Sequence, residues 1–295
     1  MSVQITQFYR AVVLVGGIQY PIIPTAGFSC PKNFIIPPII GNLWQFNYTE
    51  GFQQPSVDLI FIPRDKGASG AFSEVFSSTF LNYFLRGTAD DTSTISGGLV
   101  FWNGQDGWTL SGAKADTFSL SVAQGQLIGF TARFLFNGIT YLSTAPSFTA
   151  WDNSAPLIGK NAAVSFGSAA QTGSVWNLGL TYSNNHTPDM SLNGTNFPTD
   201  NNAGMQTAAL NFTVQAAQGI QGGTTAVPDN NPVPSSLTTV SCIITGVNGT
   251  RTFTVNNPID QIGNNREVPL GRVMRPHSYV ALGGTATTTS PLTIS

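Results

Sequence analysis

His186 and His277 are the only imidazoles in the chain, and histidine is the side chain best placed to work as a general base near neutral pH. His186 stands in an Asn- and Asp-rich stretch with Asp189 and Asp200 nearby in sequence, so a base oriented by a carboxylate can be drawn there. A hydrolytic relay also needs an activated nucleophile. The chain contains no G-x-S-x-G, no Walker A and no H-E-x-x-H. His186 therefore reads as a solvent-exposed or interface polar group, and His277, after Arg275-Pro276, has no acid close by in sequence. Asp90-Asp91 with Glu74 supply carboxylates of the type a glycosidase needs, without a second motif beside them. Ser69-Gly70, after Gly67-Ala68, forms a glycine-rich turn that lacks the lysine of a phosphate loop. Asp189, Asp200 and their Asn neighbours offer hard oxygen ligands suited to calcium, but the EF-hand spacing is missing and turn formation explains these residues. No catalytic, cofactor-binding or metal-ligating residue is assigned, and the chain is expected not to be an enzyme.

The elements that position these residues are strands. With 295 residues and 41% apolar content, there is enough to bury one large β domain or two ordinary ones. Charged residues make up only 9% of the chain, against about 25% in a typical soluble domain. So little charge leaves weak protection against self-association, which predicts a chain built to assemble. The net charge of −2 gives no basic footprint for nucleic acid. Cys30 and Cys242 make no disulfide framework, and both thiols are expected to be free. The N-terminus has no signal-peptide pattern and Ala11–Val15 is too short to span a bilayer. Synthesis in a reducing cytosol, with no membrane partner, is the expectation.

The most informative stretch runs from Trp176 to Gln215. Trp176, Leu178, Leu180 and Tyr182 alternate with smaller or more polar residues, as do Leu210, Phe212 and Val214. Period two predicts two strands, each with one buried face. Between them, 183–203 is a long Asn/Pro/Gly loop, and a loop of that length is usually functional. Gly16-Gly17, Asn103–Gly107 and Gly246–Gly249 each predict a hairpin turn between apolar runs. Further strands are expected at 43–48, 57–62, 99–102, 108–110, 118–122, 127–136, 163–166, 237–244, 252–255 and 279–282. The five prolines of 21–41 predict an extended connection, and the Gly/Pro/Asn-rich 216–236 a loop. Phe72, Val75, Phe76, Phe80, Tyr83 and Phe84 share one face at helical spacing, predicting a helix over 72–86 packed on a sheet, capped by Ser69 or Ser73 and ended by Gly87.

Phe118–Gln126 followed by Gly129–Phe136 repeats the pattern of Leu178–Asn185 followed by Thr207–Val214. The repeat suggests two related β units with a boundary near 140–165: residues 1–150 with the helix 72–86, and residues 151–295 with the loops 183–203 and 216–236. At these residues the sequence resembles the tail tube (major tail) proteins of long-tailed bacteriophages. The resemblance rests on Leu178–Asn185, on Pro198-Thr199-Asp200 with Gly204, on Ala208–Val214 and on the early helix, and it covers about 40–215. It does not reach the last 80 residues.

The resemblance implies a mainly β fold with one or two short helices, arranged as two tandem β-sandwich or barrel units in one subunit. It implies a structural virion protein made in the host cytoplasm that polymerises into stacked rings of three chains, a hollow tube through which DNA passes without sequence-specific contact. Its expected partners are itself and the tail tip, tape measure and terminator proteins; no cofactor is expected. The alternatives are a tail-tip or baseplate ring protein, and a carbohydrate-binding β-sandwich module using Trp102, Trp108 and Trp151.

Overall fold

The alternation in the Trp176 stretch becomes the axis of the molecule. In a computed structural model, Leu178, Leu180 and Tyr182 of β14 (Val175–Ser183) are buried while Asn177 and Thr181 are exposed. The structure describes residues 12–20, 27–29, 34–35, 49–50, 55–65, 74–86, 91–102, 107–147, 155–166, 169–171, 175–189, 197–215, 221–222, 225–226, 238–261, 274–283 and 290–295. The central sheet has eight strands, in the order β22 (Ile259–Asp260), β23 (Met274–Gly283), β17 (Gln206–Gln215), β14, β9 (Lys114–Ala123), β10 (Gly129–Leu135), β6 (Ser56–Phe61) and β3 (Gly27–Ser29). Every ladder is antiparallel. One row of directly opposed residues crosses six strands: Phe61, Phe130, Leu120, Leu180, Leu210 and Tyr279. All six are at most 1% exposed. A one-residue slip would turn this row out to solvent, so burial of one face fixes the register.

Two five-stranded sheets and the helical segment cover that face. One sheet runs β11 (Gly138–Leu142), β8 (Gly107–Ser111), β7 (Leu99–Trp102), β1 (Val12–Val15) and β2 (Ile18–Gln19). The other runs β13 (Ala169–Gln171), β12 (Ala162–Phe166), β20 (Thr239–Gly246), β21 (Gly249–Asn256) and β24 (Leu292–Ile294). Phe253 of β21 meets Phe118 of the central sheet at 6.3 Å and Phe76 at 5.7 Å between ring centroids. Val13, Val15, Leu99 and Leu110 join the same buried cluster. The protein is therefore a mainly β sandwich, completed by three two-stranded ribbons: β4 (Phe34–Ile35) with β5 (Thr49–Glu50), β15 (Thr187–Asp189) with β16 (Asp200–Asn202), and β18 (Gln221–Gly222) with β19 (Thr225–Ala226). The hairpins β9–β10 and β14–β17, whose patterns repeat in the sequence, lie side by side through the β9–β14 ladder. The central sheet thus takes four strands from each side of residue 150.

The expected helix over 72–86 is shorter and broken. A 3-10 turn covers Glu74–Phe76, and the α-helix α1 covers only Ser78–Leu81. Ser77 between them is extended, and its hydroxyl accepts from the Phe80 N–H at 3.2 Å. A serine that caps the following turn competes with continued helix at its own position. Ser69, Ser73 and Gly87, expected at the ends, lie outside the described residues, as do Pro21, Pro24, the strand at 43–48 and most of 216–236. The helical side chains still bury as expected: Val75, Phe76, Phe80 and Phe84 are fully buried. Phe80 sits among Tyr20, Phe61, Phe84 and Phe130 with centroid separations of 4.7 to 5.9 Å. Phe80→Ala is expected to cost about 3–5 kcal/mol, read as a lower urea midpoint at unchanged slope.

Candidate functional site

The charge-poor chain gathers Asp91, Lys114, Asp116 and Asp200, with Arg86 close by, at one end of the central sheet. β9 and β10 change register there: Arg133 faces Thr117, but Phe134 faces Ala115, which leaves Asp116 as the extra residue of a β-bulge. A bulge re-aims the side chain it carries. Asp116 Oδ1 accepts from the His186 backbone N–H and from its ring Nδ1, both at 3.0 Å. That pair sets the tautomer, with a proton on Nδ1. On the other side of the ring, Nε2 lies 2.9 Å from Thr92 Oγ1 and 3.4 Å from Asp91 Oδ1.

Asp91 carries the network onward. The Lys114 ammonium donates to Asp91 Oδ2 at 2.5 Å, meets Asp200 Oδ1 at 2.8 Å and donates to the Asn201 carbonyl at 3.0 Å. The Lys114 side chain is 5% exposed, so these partners replace its water. Burial works against the Lys114 charge, but Asp200 and Asp91 outweigh it and hold the ammonium's pKa above its ordinary 10.5. Burial likewise works against the Asp200 carboxylate, yet hydrogen bonds from Lys114 and the Asn201 N–H hold its pKa below 3.8.

Asn184 locks the loop base. Its Nδ2 donates to the carbonyls of Phe84 (2.8 Å) and Ala115 (3.3 Å), its Oδ1 accepts from Tyr182 Oη, and its backbone N–H reaches the Asp116 carbonyl. Arg86 Nη2 donates to the Gly204 carbonyl at 2.8 Å, and the Gln206 carboxamide, turned to present its oxygen, accepts from Arg86 Nε at 2.7 Å. Gly204 passes so close to Asn185 that a Cβ would lie 2.6 Å from its carbonyl oxygen. Asn185 takes a positive φ of 50° and donates to the Met205 carbonyl. Burial pushes the Tyr182 phenol up to about 12, against the opposing pull of Arg86.

Asp116, His186 and Thr92 have the connectivity of an acid–base–hydroxyl relay. Thr92 is 5% exposed and the His186 side chain 0%, so no substrate reaches the hydroxyl. What the arrangement does is join residues 84–86, 91–92, 114–116, 184–186 and 200–206 at the base of the 183–203 loop. His186 is therefore buried, not the exposed loop residue its polar context suggests, because Asp116 and Thr92 supply the partners that water would. The sequence brings Asp91, His186 and Asp200 to attention separately; it gives no sign of Lys114, Asp116 or Thr92, which the bulge and the β14–β9 ladder bring alongside.

The other expected residues are placed apart from this cluster. Asp189 stands nearest to it, directly opposite Asp200 in the β15–β16 ribbon, and the Asp200 oxygen is occupied by the Lys114 ammonium at 2.8 Å. Glu74 lies in the 3-10 turn, while Asp90 falls outside the described residues. Trp102 is buried with Leu14 and Trp108 is half-buried, so neither forms an exposed platform; Trp151 falls outside the described residues. His277 is buried and stacked on Phe212 at 5.0 Å. Cys242 is a free thiol in the core, and burial pushes its pKa up to about 12. Among the described residues no group of three or more His, Cys, Asp or Glu could hold a metal, and no helix is long and apolar enough to cross a membrane. No protein-family model and no curated protein matches the chain.

The two shifted groups set a pH window. Asp200, with its lowered pKa, contributes stability above its unfolded value near 3.8 that is lost as pH falls through the folded value. Lys114, with its raised pKa, contributes below 10.5 and loses that contribution as pH rises through its folded value. Urea midpoints measured against pH are expected to fall below about pH 4 and above about pH 10.5 in the native protein. In Lys114→Met both drops should be smaller.

Proposed function

We propose that the chain is a structural subunit that assembles with copies of itself into stacked rings, as the tail tube proteins of long-tailed phages do, to form a hollow conduit in a virion tail. The observation that carries this reading is the way the 183–203 loop is held. Its base is cross-linked to two other parts of the chain, Phe84 and residues 114–116, by the Lys114, His186 and Asn184 contacts, and its arms pair as the ribbon β15–β16. A long loop whose base is fixed this firmly is suited to presenting a defined surface rather than to closing over a ligand, and ordering that base in advance lowers the entropy cost of association. Two further features support the reading. Among the described residues the central sheet ends in strands of two and three residues, β22 and β3. Such borders are where sheets meet when neighbouring subunits complete one another. On the outward face of the central strands Ser119, Thr131, Thr181 and Ala209 are small and uncharged, and Arg133 stands directly opposite Asp58, a surface with little unbalanced positive charge to grip phosphate.

In this assignment Asp91, Lys114, Asp116, Asn184 and His186 are positioning residues for the loop. Negative-stain electron microscopy of the purified protein over a concentration series tests the reading. Rings or open-ended stacks with a central hole are the expected result. Single closed rings would indicate a tail-tip ring protein, and particles that remain monomeric at every concentration, with or without glycan binding, would count against self-assembly.

A further inference from the structure

The strand β24 is an edge strand at the C-terminal end of the described residues. It is three residues long and pairs only with β21 among the described strands, placing Leu292 opposite Val255, Thr293 opposite Thr254 and Ile294 opposite Phe253. Leu292 is 1% exposed and enters the core beside Val255 and Phe253, and Ile294 packs against the same cluster. Hydrogen bonds close both ends of the ladder. The Thr252 and Ser295 backbones exchange a pair at 2.8 and 3.0 Å, the Asn256 N–H reaches the Pro291 carbonyl at 2.9 Å, and Asn256 Nδ2 reaches the Ser290 carbonyl at 2.8 Å. These backbone bonds and both apolar contacts are made to one edge, which β24 occupies as a plug occupies a slot.

An edge of this kind must be filled. Without β24, β21 would present unpaired N–H and C=O groups beside the apolar Phe253 and Val255, an arrangement that recruits another strand. What fits the slot is defined by the strand already seated there: an uncharged segment with a leucine and an isoleucine two residues apart. Every copy of the chain carries that segment. A neighbour's β24 would make the same hydrogen bonds and bury the same side chains, so exchange between copies changes no contact energy. It changes only the tether and the effective concentration. Residues 284–289, Gly-Thr-Ala-Thr-Thr-Thr, connect β23 to Ser290, and six residues reach at most about 20 Å when extended. In dilute solution the strand's own slot therefore wins. Between closely packed subunits, own and neighbouring slots compete on similar terms.

We infer that the β21 edge is a strand-acceptor site that takes β24 from a second copy of this chain in the assembled state. This rests on the self-assembly proposed above, and names the surface and the segment that would tie one subunit to the next. Thr254 and Thr293 lie directly opposite one another, half-exposed and exposed respectively. Directly opposed residues of an antiparallel pair fall within the Cα separation that a disulfide spans.

The test uses the full chain carrying Cys30→Ser, so that Cys242, buried in the core, is the remaining native thiol. One batch carries Thr254→Cys and a second, differently tagged, carries Thr293→Cys. They are mixed, brought to assembling concentration, oxidised and run on a non-reducing gel, with the morphology recorded in parallel by electron microscopy. A disulfide linking the two tags in the assembled fraction and absent from the dilute one reports β24 of one chain lying on β21 of another. The expected result is that band in the assembled fraction and its loss in the dilute fraction, while the double variant Thr254→Cys/Thr293→Cys closes internally when dilute. Assemblies that lack the mixed-tag band, although the dilute double variant closes, would overturn the inference and leave the assembly reading standing. Absence of both assemblies and band would overturn both.

Discussion

A lysine ammonium withdrawn from water must be met by fixed negative charge, and that requirement at Lys114 organises one whole end of this protein. Its side chain is 5% exposed, and Asp91, Asp200 and the Asn201 carbonyl surround the nitrogen. Asp91 comes from one part of the chain and Asp200-Asn201 from another, so satisfying one charge ties both to the β9 strand that carries Lys114. His186 extends the same logic by tying Asp91 and Thr92 to the bulged Asp116. Buried ion pairs often add little net stability over apolar packing of the same volume. Their contribution here is to single out one arrangement of the loop base among the many a Gly/Asn-rich segment could take.

The apolar core and the charged cluster depend on each other through a few residues. The β14–β9 ladder holds Leu180 against Leu120 and Tyr182 against Phe118 in the core, and two residues further along it delivers Asn184 to the Ala115 carbonyl. The bulge at Asp116 ends the regular alternation of β9 at that point. A strand whose inner face is apolar at Phe118, Leu120 and Val122 thereby becomes polar at its end without exposing its core. Gly204 completes the closure, because any side chain there would strike the Asn185 carbonyl.

Much of the fold was legible in the sequence because period-two burial is a local signal. Trp176–Tyr182, Leu210–Val214, Leu99–Trp102 and the Gly246–Gly249 turn all predict the strands or hairpins that form. The helix was legible as a buried aromatic face but not as a broken element, since the cap by Ser77 decides the break and competes within three residues. β24 escaped notice because Leu292 and Ile294 stand in a Thr-rich stretch with too few residues to show alternation. The cluster was legible only as separate acids and one histidine. Its assembly depends on register between strands distant in sequence, and Lys114 looks like any exposed lysine until the β14–β9 pairing is known.

The central claim is that the anchored 183–203 loop is the surface on which subunits meet. Amide hydrogen exchange, measured on dilute and on concentrated, assembled protein, tests it most directly. The account predicts that the amides of Thr187 to Asn202 gain protection on assembly while those of β9 and β14, already in the sheet interior, stay unchanged. Assembled protein in which the loop amides exchange as fast as in the dilute subunit would contradict it.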